Sequence, residues 1–423
     1  MRRSLFSRRQ RLFGWSLFAG AACVLASTAA RADDLPSPIK PDAVIAYATA
    51  HRAEITAAKA KAAAAAEVGK QVRALPDPMV MVSVDHLPIK LDGINASFAV
   101  QQEFPLSGVL GDRERVAEAG AKQAAAQVDT TKLDVEYQAL AAYLMVLEAQ
   151  RTIAVLDDQV AIAKQVVAVA SARLAVSDVA GVDVLRAQLD VVRLEGERTA
   201  LDADRKAAAS MLEAALGRPV TGEPPVCELT LPAADPPALA DLVKKALDRR
   251  PELAAMKASV AAARAEVDVM RSMYLPMAFV RAGGAYTMTD GPGFMLMVGV
   301  SVPLWRDKLG AGVAEAKAME TMAGADVSAM TKMVEGDVGA ARQSVIAART
   351  RLATVRDKVL PLSKSVLSLT IATYTAGQMP LISVLDAEKA VREARMDEVI
   401  AEVKAAAAWG RLGRAVGVVK VGV

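Results

Sequence analysis

The side chains best suited to covalent or metal chemistry are few in this chain and do not converge. His51 and His86 are its only histidines. Neither has a second ligand at metal spacing, so both are expected to serve structure. Cys23 lies in the apolar N-terminal stretch and Cys227 is then a lone thiol, so no intramolecular disulfide is expected in the mature chain. Among 18 methionines, Met295 and Met297 alternate along a strand-like run, while Met319, Met322, Met330 and Met333 recur at near-helical spacing. Thioethers suit soft ions such as Cu(I), but they also fill helical seams, and packing is the expected role. "GAGVAEA" at Gly310 is too short and wrongly placed for a phosphate loop, and no convincing nucleophile–base pair stands out. No enzyme activity, cofactor or bound metal is expected. What remains is a set of polar residues beside a turn. "ATYTAGQMPLISVLDAEKAV" (Ala372–Val391) sets Tyr374, Ser383 and Asp386 around Gly377 and Pro380, and "ASARLAVSDVAGVDVLRAQLDV" sets Asp183 in a similar place two hundred residues earlier.

The elements that position this turn are long helices. Hydrophobic residues make up 53% of the 423 residues, much of it alanine, and aromatics only 4%. That composition suits long helices packed through small side chains better than one compact core. Proline is absent between Leu106 and Arg218, and between Leu304 and Leu360; proline inside a helix costs about 3 kcal/mol, so these gaps mark where helices can run. The spacing predicts helices over about 40–74, 108–176, 182–216, 237–273, 308–375 and 382–416, with strands over 79–86, 96–104, 277–287 and 294–302. A helix of about 68 residues spans on the order of 100 Å and needs neighbours along its whole length. Pro361, whose counterpart is Ala161, is expected either to kink the second long helix or to break it locally.

The N-terminus reads as an export signal. Arg2, Arg3, Arg8, Arg9 and Arg11 precede an apolar stretch, and Ala30-Arg31-Ala32 offers a cleavage site, so residues 1–32 are assigned as a signal peptide. Gly20, three positions before Cys23, disfavours a lipoprotein signal. The segment carries six arginines and no acid, so its removal takes the net charge from +3 to −3. The basic balance therefore gives no support for nucleic-acid binding. No later apolar stretch of about 20 residues is read as a membrane-spanning helix.

The chain repeats itself. "AHRAEITAAKAKAAAAAEV" aligns with "DRRPELAAMKASVAAARAEV", Pro105 with Pro303, "DVLRAQLDV" with "SVLDAEKAV", and Gly217 with Gly417. The organisation is thus a signal (1–32), a first repeat (33–218), a Pro-rich linker (219–236), a second repeat (237–417) and a tail (418–423). Each repeat reads helix–strand–strand–helix–helix. In "SFAVQQEF", Phe98, Val100 and Phe104 share one face, opposite Ser97, Ala99, Gln101 and Glu103; in "FMLMVGVSV", Phe294, Leu296, Val298, Val300 and Val302 share a face. These runs are long enough to cross a bilayer as tilted strands. Two isolated hairpins cannot sit in lipid with bare edges, so a closed barrel would need strands from other copies; a pair of soluble hairpins is the alternative.

The duplicated plan, "RRPEL", the two "PL" strand ends and "Y-T-A-G…V-L-D-A" resemble the TolC-type outer-membrane efflux protein family over about residues 40–417. "QEFPLSGVLGDR" and "GVSVPLWRDKLGAGVAEAKA" look most like its heavy-metal, CusC- and CzcC-like branch. The resemblance implies a mainly α fold with β: a homotrimer whose protomers each give four strands to one outer-membrane β-barrel, continuous with a long periplasmic α-helical barrel. It implies a channel, the exit duct of a tripartite efflux system of resistance-nodulation-division type exporting heavy-metal cations or small toxic compounds. Its partners would be a periplasmic adaptor, an inner-membrane pump and outer-membrane lipid. In this picture Asp386 sits in a ring of three near the pore axis, Ser383 falls where many members have a second aspartate, and Asp183 accepts a hydrogen bond from Tyr374 that holds the periplasmic gate closed. Carboxylates near one axis repel each other and attract cations. Leu174, Val176, Asp178, Gly181, Thr375, Gly377, Gln378 and Leu381 would form the adaptor-docking tips. The bland alternative is that Tyr374 and Asp183 only decorate helices and Asp386 is solvated. A channel for type I protein secretion, or a soluble periplasmic helical scaffold without a pore, are the competing readings.

Overall fold

The computed structural model describes residues 36–85, 95–175, 180–287 and 290–421, all within the unit Pro36–Val423. The expected signal segment and His86 lie outside the described residues. The first repeat forms α1 (Pro41–His51), α2 (Ala53–Arg73), β1 (Met79–Asp85), β2 (Asn95–Pro105), α3 (Val109–Ala175) and α4 (Gly181–Leu216). The second forms α5 (Leu239–Arg249), α6 (Pro251–Ser272), β3 (Met277–Thr287), β4 (Gly291–Ser301), α7 (Arg306–Thr354), α8 (Leu360–Thr375) and α9 (Leu381–Val416). At 67 residues, α3 is about 100 Å long.

The first helix of each repeat is divided where one continuous helix was expected. In the second repeat the cause is Pro251, whose ring disfavours helical backbone at Arg250. In the first there is no proline, yet Arg52 takes the same extended conformation. Its guanidinium donates to Glu54 and to the carbonyls of Ala214 (3.2 Å) and Ala215 (3.0 Å) at the end of α4, where a cation offsets the helix dipole. The corner recurs because both repeats turn there against an equivalent glycine: Gly217 (φ +72°) and Gly417 (φ +93°) end α4 and α9 in left-handed backbone.

Pro361 does not stop its helix. The five residues Val355–Val359 widen into a π-turn, and the chain continues directly as α8 with proline at its start, where the missing N–H is harmless. Arg356, in that turn, pairs with Glu398 of α9 at 2.9 Å.

One core lies where α5, α6, α7 and α9 meet, with Leu242, Leu253, Val334, Val338, Trp409 and Leu412 buried together. Arg414 ties this region to α3 and α6 through Asp134 (2.8 Å) and Glu252 (2.6 Å). Leu412 is fully buried, so Leu412→Ala should cost about 2–5 kcal/mol, read as a clear fall in the thermal unfolding temperature. Part of the linker is stitched down: Cys227 bridges Ile39, and its amide donates to Gln150 Oε1 of α3 at 2.9 Å. Burial there pushes the Cys227 thiol up to about 12.

Two expectations are corrected. One stretch of α3 is apolar and long enough to cross a membrane by length and composition; half of it is buried inside the fold, as a packed helix requires. Met319, Met322 and Met333 are exposed rather than packed, because α7 buries the row that includes Ala316, Ala323, Val334 and Val338 instead; Met330 alone of the four packs against the core. His51 stacks on Tyr47 with ring centroids 4.1 Å apart.

Candidate functional site

Two regions carry the arrangement: a four-stranded sheet, and a helical tip built from the ends of α3, α4, α8 and α9. The sheet order is β1-β2-β3-β4, antiparallel throughout, and its central pairing joins the two repeats, from Ala96↔Tyr286 to Pro105↔Met277. The register stacks the outward residues into rows. Val82, Phe98, Gly284 and Phe294 form one; Val80, Val100, Ala282 and Leu296 form the next. Val82 is 72% and Leu296 74% exposed. The opposite face is more polar. Arg281 donates to Gln101 Oε1 at 3.0 and 2.6 Å, and the hydroxyls of Ser83 and Ser97 lie 2.7 Å apart. Met295 and Met297 belong to this second face, beside Gly283 and Arg281. The outer edges of β1 and β4 have no strand partner among the described residues.

At the tip, α8 closes with Gly377 in left-handed backbone (φ +76°), which lets Gly377 N–H reach Tyr374 O and Gln378 N–H reach Thr373 O, both at 3.0 Å. Pro380 then leads into α9 with extended backbone. Tyr374 is only 2% exposed and packs with Val166, Ala187, Leu381 and Val384. Arg173 of α3 lays its guanidinium 4.5 Å from the Tyr374 ring centroid and donates to the Tyr374 carbonyl at 2.7 Å. The Tyr374 hydroxyl is buried without a hydrogen-bond partner among the described residues.

The structure does not bring Asp183 to that hydroxyl within one chain. Asp183, in the first turn of α4, lies 3.7 Å from Arg186 instead. Asp386 is exposed and Ser383 half-buried on the first turns of α9. Leu174, Gly181, Thr375, Gly377 and Gln378 are exposed around the turns. Leu381 is turned inward into the buried cluster with Tyr374. Val176 and Asp178 lie outside the described residues.

Sequence reasoning missed two features of this tip. The first is a pair of exposed apolar rows at heptad spacing: Val182, Leu185, Leu189 and Val192 on α4, and Val359, Leu362, Val366 and Leu369 running from the π-turn along α8. Their 3–4–3 spacing is the signal that could have found them. The second is Glu388, buried on α9 at 3% exposure. It falls in step with Leu381, Val384 and Val391, all buried, so the same spacing marks it as a core position occupied by an acid.

A duplicated helical body ending in a four-stranded sheet with an apolar outer face is a fold shared with outer-membrane channels of known structure. The outer-membrane channel OprN matches with a TM-score of 0.74 and 18% identity over 89% of each chain. CusC matches at 0.77 with 13% identity, over 89% of this chain and 92% of that one, and VceC of Vibrio cholerae at 0.74 with 16% identity, over 89% and 96%. These values do not set CusC apart from the others, so the likeness defines the fold without selecting a branch. In sequence, residues 242–418 match the family model described as outer membrane efflux protein. No curated protein matches the chain.

Proposed function

We propose that this chain is an outer-membrane exit duct of a tripartite efflux system, of resistance-nodulation-division type, passing heavy-metal cations or small toxic compounds. It acts as a homotrimer and performs no catalysis; the energy comes from an inner-membrane pump reached through a periplasmic adaptor. The observation that carries this reading is the sheet. Its outer face is largely apolar, interrupted by Gln102, and neither edge has a strand partner among the described residues. Bare edges are not tolerated in lipid, so a barrel closed by several copies is the arrangement that satisfies them. The heptad rows on α4 and α8 support it further. They are two different surfaces of one protomer, and contacts between unlike surfaces generate rings. The match of residues 242–418 to the outer membrane efflux protein model supports the channel reading, and the cargo class rests on the resemblance of "QEFPLSGVLGDR" and "GVSVPLWRDKLGAGVAEAKA" to the heavy-metal branch.

At the tip, Tyr374, Asp183, Asp386 and Ser383 form the gate, with Leu174, Gly181, Thr375, Gly377 and Gln378 facing the adaptor and Leu381, buried beside Tyr374, holding that surface from behind. In the closed ring Asp183 accepts from the Tyr374 hydroxyl, which has no partner among the described residues of one chain. The test is single-channel conductance of the purified protein in planar bilayers. A hydrogen bond to a carboxylate is worth about 1.5–3 kcal/mol, so Tyr374→Phe with Asp183→Ala should raise the resting open fraction roughly tenfold or more. Unchanged resting conductance rules out the latch. A properly exported chain that stays monomeric and water-soluble without detergent rules out the duct. Neighbouring genes separate cargo classes: a proton-driven pump accords with efflux, an ATP-binding transporter with protein secretion.

A further inference from the structure

Glu388 occupies a position built for an apolar side chain. Its heptad companions Leu381, Val384 and Val391 are buried, and its counterpart in the first repeat, Gln188, is exposed. Glu388 Oε1 is buried without a hydrogen-bond partner among the described residues. The surrounding charges do not neutralise it. On α3, Lys164 pairs with Glu195 at 2.7 Å and Asp158 with Arg395 at 2.6 Å, while Asp157 pairs with Arg198; Arg173 holds the Tyr374 carbonyl, and Gln159, uncharged and buried, has no partner for its Nε2 among the described residues. On α4, Asp190 acts on Glu388 in the unfavourable sense, and Asp183 lies beside Arg186. The only charged residue of α8 is Lys364. On α9 itself Asp386 and Lys389 are exposed and Arg392 follows one turn on; α7 and the π-turn meet α9 further along, around Glu398 and Ala401.

We propose that Glu388 is a proton-operated clasp in the helical tip: neutral, it lets α9 seat against α3 and α8, beside α4; ionised, it confronts Asp190 of α4 and loosens that seat. Burial, reinforced by Asp190 and opposed by Arg392, pushes the carboxyl up to about 7. An acid whose value is raised in the packed state holds its proton more tightly there than in the loosened state. The stabilisation is complete below about pH 4.5, declines as the pH climbs toward 7, and stays lost above it.

The experiment is hydrogen exchange of the α9 segment 381–391 in the full-length protein in detergent, corrected for intrinsic rates, at pH 5.5 and pH 8. Wild-type protection should fall by roughly one to two orders of magnitude between the two. Glu388→Gln, which keeps the shape without the charge, should hold its protection across the range. The exposed Glu393→Gln should follow the wild type. Infrared titration of carboxyl groups, wild type minus Glu388→Gln, should show a group protonating near 7; a value in the ordinary range overturns the proposal whether or not other variants fold. So does a flat wild-type response, or a Glu388→Gln response equal to wild type. The inference rests on the duct reading only for its consequence, an open fraction that rises with pH. If no pore forms while the pH-dependent protection holds, the duct reading fails and the clasp stands.

Discussion

Leu296→Arg is expected to keep the protein out of the outer membrane. Leu296 sits at the middle of β4, 74% exposed, in the row with Val80, Val100 and Ala282. An arginine on the lipid face of a barrel strand costs about 2–4 kcal/mol near the bilayer midplane. The proposed trimer would carry the substitution three times, so the total would approach about 6–12 kcal/mol, comparable to the whole stability of a typical domain. The same charge is at home on the other face, where Arg281 finds Gln101. Fractionation of exported protein measures this: the variant should leave the detergent-extractable membrane fraction, whereas Met295→Gln, on the polar face, should remain in it. A Leu296→Arg protein that fractionates as wild type means that this face does not meet lipid.

Placing a charge in either helical seam should break the ring into protomers. Leu185 on α4 is 65% exposed and Leu362 on α8 is 67% exposed in a single chain, each in the centre of a heptad row. Burying an unpaired carboxylate costs several kcal/mol even after relaxation. Leu185→Asp and Leu362→Asp would each repeat that cost at every seam, enough to shift a stable trimer to monomer at micromolar concentration. Native mass spectrometry from detergent reads the outcome directly. Leu185→Asp combined with Leu362→Lys should recover part of the assembly, because the two charges would then pair. Trimers that survive both single substitutions show that the seam lies elsewhere.

How much of this was legible in the sequence depends on what each feature needs. Strand alternation is local, so Phe98, Val100 and Phe104 read correctly as one face, and proline-free gaps bounded the long helices to within a few residues. The division at Arg250 was missed although Pro251, which follows it, carries the signal. The division at Arg52 was not: nothing in "HRAEI" demands it, and its cause is the distant end of α4, visible only through alignment with "RRPEL". Pro361 marked an irregularity but not its form, because a π-turn absorbs the extra residue instead of ending the helix. Glu388 was passed over because "DAEKAV" reads as a solvated charged face unless each position is assigned to a heptad. The gate residues are the hardest case. Tyr374 and Asp183 were singled out by resemblance, and one chain buries the phenol away from the carboxylate.

The seam between β2 and β3 bears on how such a chain could have arisen. Those two strands belong to different repeats, yet they pair over ten residue positions with the same up-and-down sense as the hairpins that flank them. A hairpin from one repeat therefore sees the next in the way any neighbour around a ring would. If three copies close a barrel as proposed, an ancestor with one repeat would have needed six subunits to set the same twelve strands in a circle. Fusion halves the number of parts, and it frees the two halves to diverge, so that an acid can be tucked inside one hairpin while its twin keeps a glutamine facing water.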